Sequence, residues 1–182
     1  DRNMFMGNAE IMPTPEVALS IRKITVAGSR RIAKVAFDTA RTRRKKVTVV
    51  HKANVLKVTD GLFLEHVRDV GKDYPDVEIE EVIIDAMAAL LIRRPESFDV
   101  VLTTNMYGDI LSDEAAELSG GLGFGASINA SDTHAVAQAA HGSAPDIAGQ
   151  DLANPIAHVL SSQMLLAWVA GRGGDNQLAN AA

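Results

Sequence analysis

Hydrophobic positions along this chain switch between a helical period and a strand period, and the switching predicts helices alternating with strands. Ser29 precedes an apolar series at helical spacing, which predicts a helix over residues 30–43 with Ser29 as its N-cap. The positions in that series are Ile32, Val35, Ala36 and Ala40. The β-branched run at 47–51 follows and predicts a strand.

The same periodicity continues to the C-terminal part of the chain. Pro13 and Pro15 predict an extended arm over residues 10–20. Further strands are predicted at 77–82 with one wet face, at 99–104 as a buried strand, and near Val136. Further helices are predicted after Asp60 as a cap, from Asp85 through Ile92, from about Gly108 to Leu118, and from about Pro155 to Val169. Alternating strands and helices predict an α/β fold.

A glycine-dense junction at 120–125 marks a change of composition and predicts a domain boundary. We expect residues 1–119 and residues 120–182 to belong to different domains. The junction lacks the spacing of a dinucleotide fingerprint, because Ala126 and Ile128 stand where the last glycine would be needed.

Composition narrows the class of protein. The 182 residues are 47% hydrophobic with a net charge of −5, so there is no basic footprint for nucleic acid. The longest apolar run, 82–92, is too short to span a membrane and contains Asp85. Cysteine is absent, which fits a reducing compartment, and a cytoplasmic location is expected. The cationic run 41–46 is interpreted as a solvated helix end rather than an anion-binding patch.

Two aspartates on one predicted helix are candidate metal ligands. Asp109 and Asp113 are four residues apart, so both project from one helix face and repel each other unless a cation lies between them. Oxygen ligands favour Mg²⁺ or Mn²⁺. Asp85 lies among apolar residues, where an ionised carboxylate is costly unless paired or metal-bound. The alternative is a helix cap at Asp109 and a solvated Asp113, and the residues alone leave the two readings balanced.

Lys52 follows a predicted strand, and strand ends are where ligands bind in α/β sheets. A neighbouring cation would lower its pKa and make it a plausible general base. A surface lysine at a strand end is the commoner case, and the sequence alone does not rank the two.

The loop from His141 to Gly149 is built from small residues that let a backbone approach a ligand closely. Asp146 within it suits a ribose diol, and an acid at such a place favours NAD. The alternative is a structural connection whose turn is fixed by Pro145. Asn154 and Pro155 then predict a helix entry with Asn154 as its cap.

Taken together, the ordered segments of this chain resemble the isocitrate/isopropylmalate dehydrogenase family of metal-dependent β-decarboxylating dehydrogenases. The resembling segments are 22–25, 51–57, 60–63, 105–113, 141–149 and 153–155. The resemblance implies the family's two-lobed α/β fold, incomplete in this chain. It implies that residues 1–119 form a substrate- and metal-binding domain that also dimerises, and that residues 120–182 form part of the cofactor-binding domain.

The resemblance also implies roles for single residues. Lys52 is similar to the family's general base, contributed to the partner subunit's site, and Asn54 to a residue that contacts the nicotinamide end. Asp85 is similar to a metal ligand donated across a homodimer interface, and Asp109 and Asp113 to the two ligands of the other subunit. The implied adenosine-binding loop comprises His141, Gly142, Ser143, Ala144, Asp146, Ile147 and Asn154. Asp146 implies NAD as cofactor.

The implied reaction oxidises a 2-hydroxy acid of the 3-isopropylmalate or isocitrate type and then removes CO₂. The family's general acid is a tyrosine upstream of the region that residues 1–5 resemble, and Tyr74 and Tyr107 lie in other motifs. The substrate-reading segment and the helix expected after Leu178 are also absent, so we expect a fragment of a larger enzyme. Two alternatives remain open: a non-catalytic fragment or subunit, and a tartrate or malate dehydrogenase (decarboxylating).

Overall fold

A computed structural model of the chain describes residues 10–172, and the expectations for residues 1–5 and for the region after Leu178 lie outside that range. Its strands are β1 Glu10–Thr14, β2 Val17–Ser20, β3 Lys46–His51, β4 Glu78–Ile83, β5 Val100–Leu102, β6 Ala126–Ala130 and β7 Ala135–Ala139. Its α-helices are α1 Val26–Arg41, α2 Thr59–Gly71, α3 Ile84–Arg93, α4 Asn105–Leu118 and α5 Ile156–Ala170. The predicted α/β class is confirmed.

The chain divides into two compact units, residues 1–111 and 112–182, with the division inside α4. The predicted boundary between 119 and 120 stays a prediction. The first unit contains a parallel sheet in the order β4-β3-β5. Parallel strands place their carboxyl ends at one edge of a sheet, so the residues that follow β3, β4 and β5 share one edge.

The core of the first unit forms around the central strand β3, in which 47–51 are all buried. A parallel strand covered on both faces reads as a continuous apolar run, which is why this segment was recognisable from sequence. Phe37 of α1 and Phe63 and Val67 of α2 are almost fully buried in the same cluster. Each such side chain contributes about 1.5–3 kcal/mol when it is removed from water.

Helix α1 begins earlier than predicted, because Thr25 rather than Ser29 is its N-cap. The Thr25 hydroxyl accepts a hydrogen bond from the Gly28 N–H at 3.1 Å. Ser29 is buried inside the helix and donates to the Thr25 carbonyl at 2.9 Å. The predicted apolar series is half wrong, since Ile32 and Val35 are exposed and the buried positions are Ser29, Ala33, Ala36, Phe37 and Ala40.

Other predicted boundaries shift by a few residues. Helix α2 has no side-chain cap, so the prediction that Asp60 caps it is wrong; Asp60 lies within its first turn and is fully buried. Helix α4 begins at Asn105 rather than near Gly108, and β5 is shorter than the predicted strand at 99–104.

The second unit contains the antiparallel pair β6 and β7, against which α5 packs. Strand β7 and helix α5 match the predictions, whereas β6 was missed because its sequence, ASINA, is small and only weakly alternating. Ser161 of α5 ties the helix to the pair: its hydroxyl donates to the Gln138 carbonyl at 2.7 Å. None of the helices within residues 10–172 is long and apolar enough to cross a membrane.

The predicted extended arm is confirmed as an antiparallel hairpin of β1 and β2, with an irregularity in register between Ile11 and Thr14. Every residue of both strands is exposed, including Met12 and Leu19. A two-stranded hairpin with no covered face is only marginally stable by itself.

Candidate functional site

Lys52 and Asp85 meet at the carboxyl edge of the parallel sheet. Lys52 follows the last residue of β3, and Asp85 is the second residue of the helix that follows β4. The in-register pairing of His51 with Ile83 places the two strand ends side by side. The Lys52 Nζ consequently donates to Oδ1 of Asp85 and forms an ion pair with it.

The surroundings of Asp85 differ from the expectation of an apolar setting. Its side chain is 59% exposed, because it projects from the first turn of α3 rather than into the core. The hydrogen bond from Lys52 holds the pKa of the Asp85 carboxyl below its usual range. The expectation that Asp85 is buried and needs a metal for that reason is therefore wrong. The family resemblance still implies that Asp85 is a metal ligand.

The backbone of Lys52 is held at both of its polar groups. Its N–H donates to Oδ2 of Asp60 at 2.6 Å. Its carbonyl accepts from the N–H groups of Val55 and Leu56 at 2.9 and 2.8 Å. The next amide, of Ala53, donates to Nδ1 of the buried His51 at 3.1 Å. The turn after β3 is thus closed by hydrogen bonds while the Lys52 side chain projects beyond it.

Asp60 in turn pairs with Arg22, a partnership that the sequence did not reveal. The Arg22 guanidinium lies 2.8 Å from Oδ1 of Asp60, with side-chain exposures of 13% and 0%. Arg22 also donates to the Thr104 hydroxyl at 2.6 Å and to the Tyr107 hydroxyl at 3.4 Å. Burial raises the pKa of Tyr107, and the nearby Asp60 charge adds to that shift against the opposing effect of Arg22. No local signal could have joined Arg22 to Asp60 across 38 positions of sequence.

Asp109 and Asp113 lie four residues apart on α4, and both are exposed. Carboxylate oxygens at this spacing suit a hard divalent cation. Within residues 10–172 no three His, Cys, Asp or Glu side chains lie close enough together to hold a metal ion. The ligand assignment stays a prediction.

The predicted adenosine loop is open to solvent. Gly142, Ser143, Ala144 and Asp146 are exposed, and Ile147 and His141 are half-buried. Nδ1 of His141 lies 2.9 Å from the Gly142 carbonyl, which can only accept, so this nitrogen carries the proton. The His141 ring faces His158 with their centroids 5.8 Å apart.

Two backbone positions give the loop its shape. Ala144 adopts a left-handed conformation with φ 42°, which is uncommon for a residue with a Cβ. Gly149 has φ 76°, where glycine is favoured. Backbone strain of this kind occurs often at binding loops.

The N-cap of α5 is Pro155 rather than the predicted Asn154, and Oδ1 of Asn154 accepts from the Ile156 N–H at 3.0 Å just before the helix. Asn154 is half-buried, and a Cβ on Gly123 would come within 3.0 Å of the Asn154 Cβ. Asn54 is exposed in the turn that follows Lys52.

Charged residues also concentrate at the amino edge of the sheet, where the cationic run lies. Asp99, just before β5, accepts from Nε of Arg43 at 2.8 Å and from the Arg44 N–H at 2.9 Å. Arg41 pairs with Asp76 at 2.7 Å, and Lys46 with Glu80 at 2.9 Å. These contacts join structural elements, which agrees with the structural interpretation of the run.

Known proteins resemble this chain over nearly all of its length. A sequence model of the family described as isocitrate/isopropylmalate dehydrogenase matches residues 3–181. The chain is 50% identical over 155 residues to a homoisocitrate dehydrogenase of Methanocaldococcus jannaschii, a match covering 85% of this chain and 44% of that protein. It is 46% identical over 165 residues to a 3-isopropylmalate dehydrogenase of Methanothermobacter thermautotrophicus, covering 90% of this chain and 50% of that protein.

A solved structure shows the same likeness. The crystal structure of isocitrate dehydrogenase from Methylococcus capsulatus superposes with a TM-score of 0.84 at 45% sequence identity, covering 96% of this chain and 52% of that chain. This chain therefore spans about half the length of the relatives that it matches.

Proposed function

Because this chain belongs to the isocitrate/isopropylmalate dehydrogenase family, we propose that the protein carrying it oxidises and decarboxylates a 2-hydroxy acid of the 3-isopropylmalate/isocitrate type. The observation that carries the proposal is the pairing of Lys52 with Asp85 at the carboxyl edge of the parallel sheet. That edge is where ligands bind in open α/β sheets. The relatives are named for isopropylmalate, homoisocitrate and isocitrate, so the substrate class is supported and the individual acid is not.

Lys52 is the proposed general base for the substrate hydroxyl. Its side chain is 26% exposed, so Nζ is reachable and can act as a base in its neutral amine form, while hydrogen bonds fix the backbone below it. A base must hold its nitrogen within about 3 Å of the proton that it removes, which a fixed backbone favours. Loss of that proton to Lys52 would accompany hydride transfer to the nicotinamide ring.

Asp109 and Asp113 are the proposed ligands of one subunit for Mg²⁺ or Mn²⁺, with Asp85 supplied by the partner. Their exposure and helical spacing fit a chelating pair, and an all-carboxylate donor set fits a hard cation. A bound divalent cation would stabilise negative charge that develops on the substrate oxygens. Lys52 and Asp85 lie on one chain in direct contact, which supports their delivery together to the same site.

NAD is the proposed cofactor, held by His141, Gly142, Ser143, Ala144, Asp146, Ile147 and Asn154, with Asn54 near the nicotinamide end. The exposed Asp146 carboxylate suits a ribose diol and would repel a 2′-phosphate, which favours NAD over NADP. The small side chains and left-handed positions of the loop leave its backbone accessible.

A homodimer is the proposed assembly. The β1–β2 hairpin exposes Ile11, Met12, Val17 and Leu19, and an uncovered apolar hairpin needs a partner surface for stability. A second copy of the chain would provide that surface and would also complete the metal ligands.

Steady-state assays of the complete protein encoded by the gene test the proposal. We expect NAD reduction and CO₂ release with Mn²⁺ on 3-isopropylmalate, isocitrate or homoisocitrate, and a lower kcat/KM with NADP. Preference for tartrate or malate would support that alternative specificity within the family. No turnover of any of these acids would contradict the proposal and favour a non-catalytic subunit.

Calorimetric titration tests the metal ligands separately from turnover. Mn²⁺ should bind the complete protein, and Asp109→Ala should abolish that binding. Asp132→Ala, which removes an exposed carboxylate from the β6–β7 turn, is the matched control and should bind normally. Unchanged binding by the Asp109 variant would overturn the ligand assignment.

A further inference from the structure

We propose that the buried pair of Arg22 and Asp60 is a positioning device for Lys52, which fixes the backbone of the base so that only its side chain moves. The proposal rests on the proposed function, since it gives Lys52 the role of base. It adds two residues that act through Lys52 rather than on the substrate.

Asp60 contacts the backbone of Lys52 directly. One carboxylate oxygen, Oδ2, accepts the Lys52 N–H at 2.6 Å, and the carboxylate has no exposure to water. Hydrogen bonds to an ionised acceptor are shorter and stronger than neutral ones. This contact comes from eight residues further along the chain, so it closes the whole turn after β3 onto the start of α2.

The negative charge of Asp60 is balanced by Arg22. A buried carboxylate is costly unless it is paired, and the Arg22 guanidinium at 2.8 Å supplies the pairing. Arg22 donates as well to the Thr104 hydroxyl at 2.6 Å, and its guanidinium carbon lies 4.9 Å from the centre of the Tyr107 ring. Arg22 thereby joins the turn that carries Lys52 to the segment after β5 and to α4.

The pair of Arg22 and Asp60 lies next to the proposed base. The device lies directly beneath Lys52 at the carboxyl edge, and the Lys52 side chain is the part of this turn that reaches Asp85. Reacting groups need placement to within a fraction of an ångström, and a displacement of 1 Å far from the chemistry can cost about 100-fold in rate.

The chain provides a matched control at the opposite edge of the same sheet. The side chain of Asp99 is also buried; it accepts a backbone N–H, from Arg44 at 2.9 Å, and Nε of Arg43 at 2.8 Å, with Nε of Arg44 at 3.6 Å. It touches none of the residues of the candidate site. Asp60→Asn and Asp99→Asn therefore remove similar contacts, and only the first removes them beside the base.

The experiment compares Asp60→Asn with Asp99→Asn in the complete protein. An asparagine at 60 removes the negative charge that faces Arg22, and its nitrogen is a donor that cannot replace a carboxylate oxygen as acceptor. We expect both variants to unfold at lower urea concentration, but only Asp60→Asn to lower kcat, by about 10- to 100-fold. KM for NAD should change less than kcat, since the adenosine loop at 141–149 is untouched and only Asn54 of the proposed cofactor contacts lies in the loosened turn.

Amide hydrogen exchange gives a second readout that does not need turnover. The Lys52 amide should exchange at least about tenfold faster in Asp60→Asn than in Asp99→Asn. Arg22→Lys, which keeps the opposite charge beside Asp60, should retain more kcat than Arg22→Met.

Three results would overturn the positioning role: unchanged kcat in Asp60→Asn, an equal loss of kcat in Asp99→Asn, or an unchanged Lys52 amide. If the unsubstituted protein turns over none of the acids, the proposed function fails, and the exchange comparison still decides whether Asp60 holds Lys52.

Discussion

Both edges of the parallel sheet carry ion pairs, but the two edges arrange them differently. At the carboxyl edge the supporting ion pair is inside: the Arg22 and Asp60 side chains are 13% and 0% exposed, and the Lys52–Asp85 pair lies above them. At the amino edge the buried Asp99 is held by Arg43, whose side chain is 54% exposed.

The exposure of the supporting arginine distinguishes a candidate functional site from a structural junction better than the density of charged residues does. The arginines that pair with Asp99 are exposed to solvent and therefore less constrained. The amino edge joins structural elements but does not hold a reactive side chain in a fixed position. The carboxyl edge excludes water from its supporting layer and presents one lysine above it. Low solvent access strengthens each electrostatic contact in that layer.

The largest contrast is expected between two lysines of the same strand region. Lys46 begins β3 and Lys52 follows its end; their side chains are 24% and 26% exposed, and each pairs with a carboxylate. Lys52→Ala should lower kcat by about 10²–10⁴-fold, the usual contribution of a general base. Lys46→Ala should retain activity. Steady-state kinetics on both variants measures the contrast, and equal losses would remove the distinction between the edges.

The next contrast concerns stability. Arg22→Met leaves Asp60 buried without a counter-charge, and breaking a buried pair in this way costs about 3–5 kcal/mol of unfolding free energy. Arg43→Met removes an exposed arginine and leaves Asp99 with the Arg44 amide at 2.9 Å and Nε of Arg44 at 3.6 Å, so the loss should be about 1 kcal/mol or less. Urea unfolding compares the two. A smaller loss for Arg22→Met than for Arg43→Met would reverse the assignment of the rigid edge.

The smallest contrast is expected in how the stability of the fold declines at low pH. Burial alone would raise the pKa of Asp99, but the hydrogen bonds from Arg43 and from the Arg44 amide outweigh it and lower that pKa. A carboxyl with a lowered folded-state pKa stabilises the fold above its unfolded pKa of about 3.9, and the stabilisation is lost as pH falls through the folded value.

Asp99→Asn should therefore flatten the decline of stability below about pH 4. The pKa of Asp85 is lowered too, by its hydrogen bond from Lys52, but its side chain is exposed and solvent screens the pair. Asp85→Asn should flatten the decline less. Urea midpoints measured at several pH values give the two slopes, and a steeper decline in Asp99→Asn would contradict the sign.

Sequence patterns predicted those parts of the molecule that depend on local spacing. The run around β3, the α/β alternation and the start of α5 just after Asn154 were visible because strand and helix periods and capping chemistry act over a few residues. The family resemblance is confirmed by the match over residues 3–181. The site residues that it implied stay predictions, and the contact between Lys52 and Asp85 was not among the sequence predictions.

The sequence failed where tertiary contacts override local preference. Asp60 looked like a helix cap, but its Oδ2 accepts the Lys52 amide and its Oδ1 forms an ion pair with Arg22. Asp85 looked buried between apolar neighbours, yet the turn from β4 into α3 points it outward. Ser29 looked like a cap because nothing local shows that Thr25 closes the helix first.

The register of β3 with β4, from Lys46 opposite Glu78 to His51 opposite Ile83, bears on which mutations the protein can tolerate. Removal of one residue inside β4 would let the strands keep pairing but would exchange the faces of everything beyond the deletion. Asp85 would then leave Lys52, although neither residue had been replaced. Along these two strands, insertions and deletions are consequently a greater hazard to the proposed activity than most substitutions.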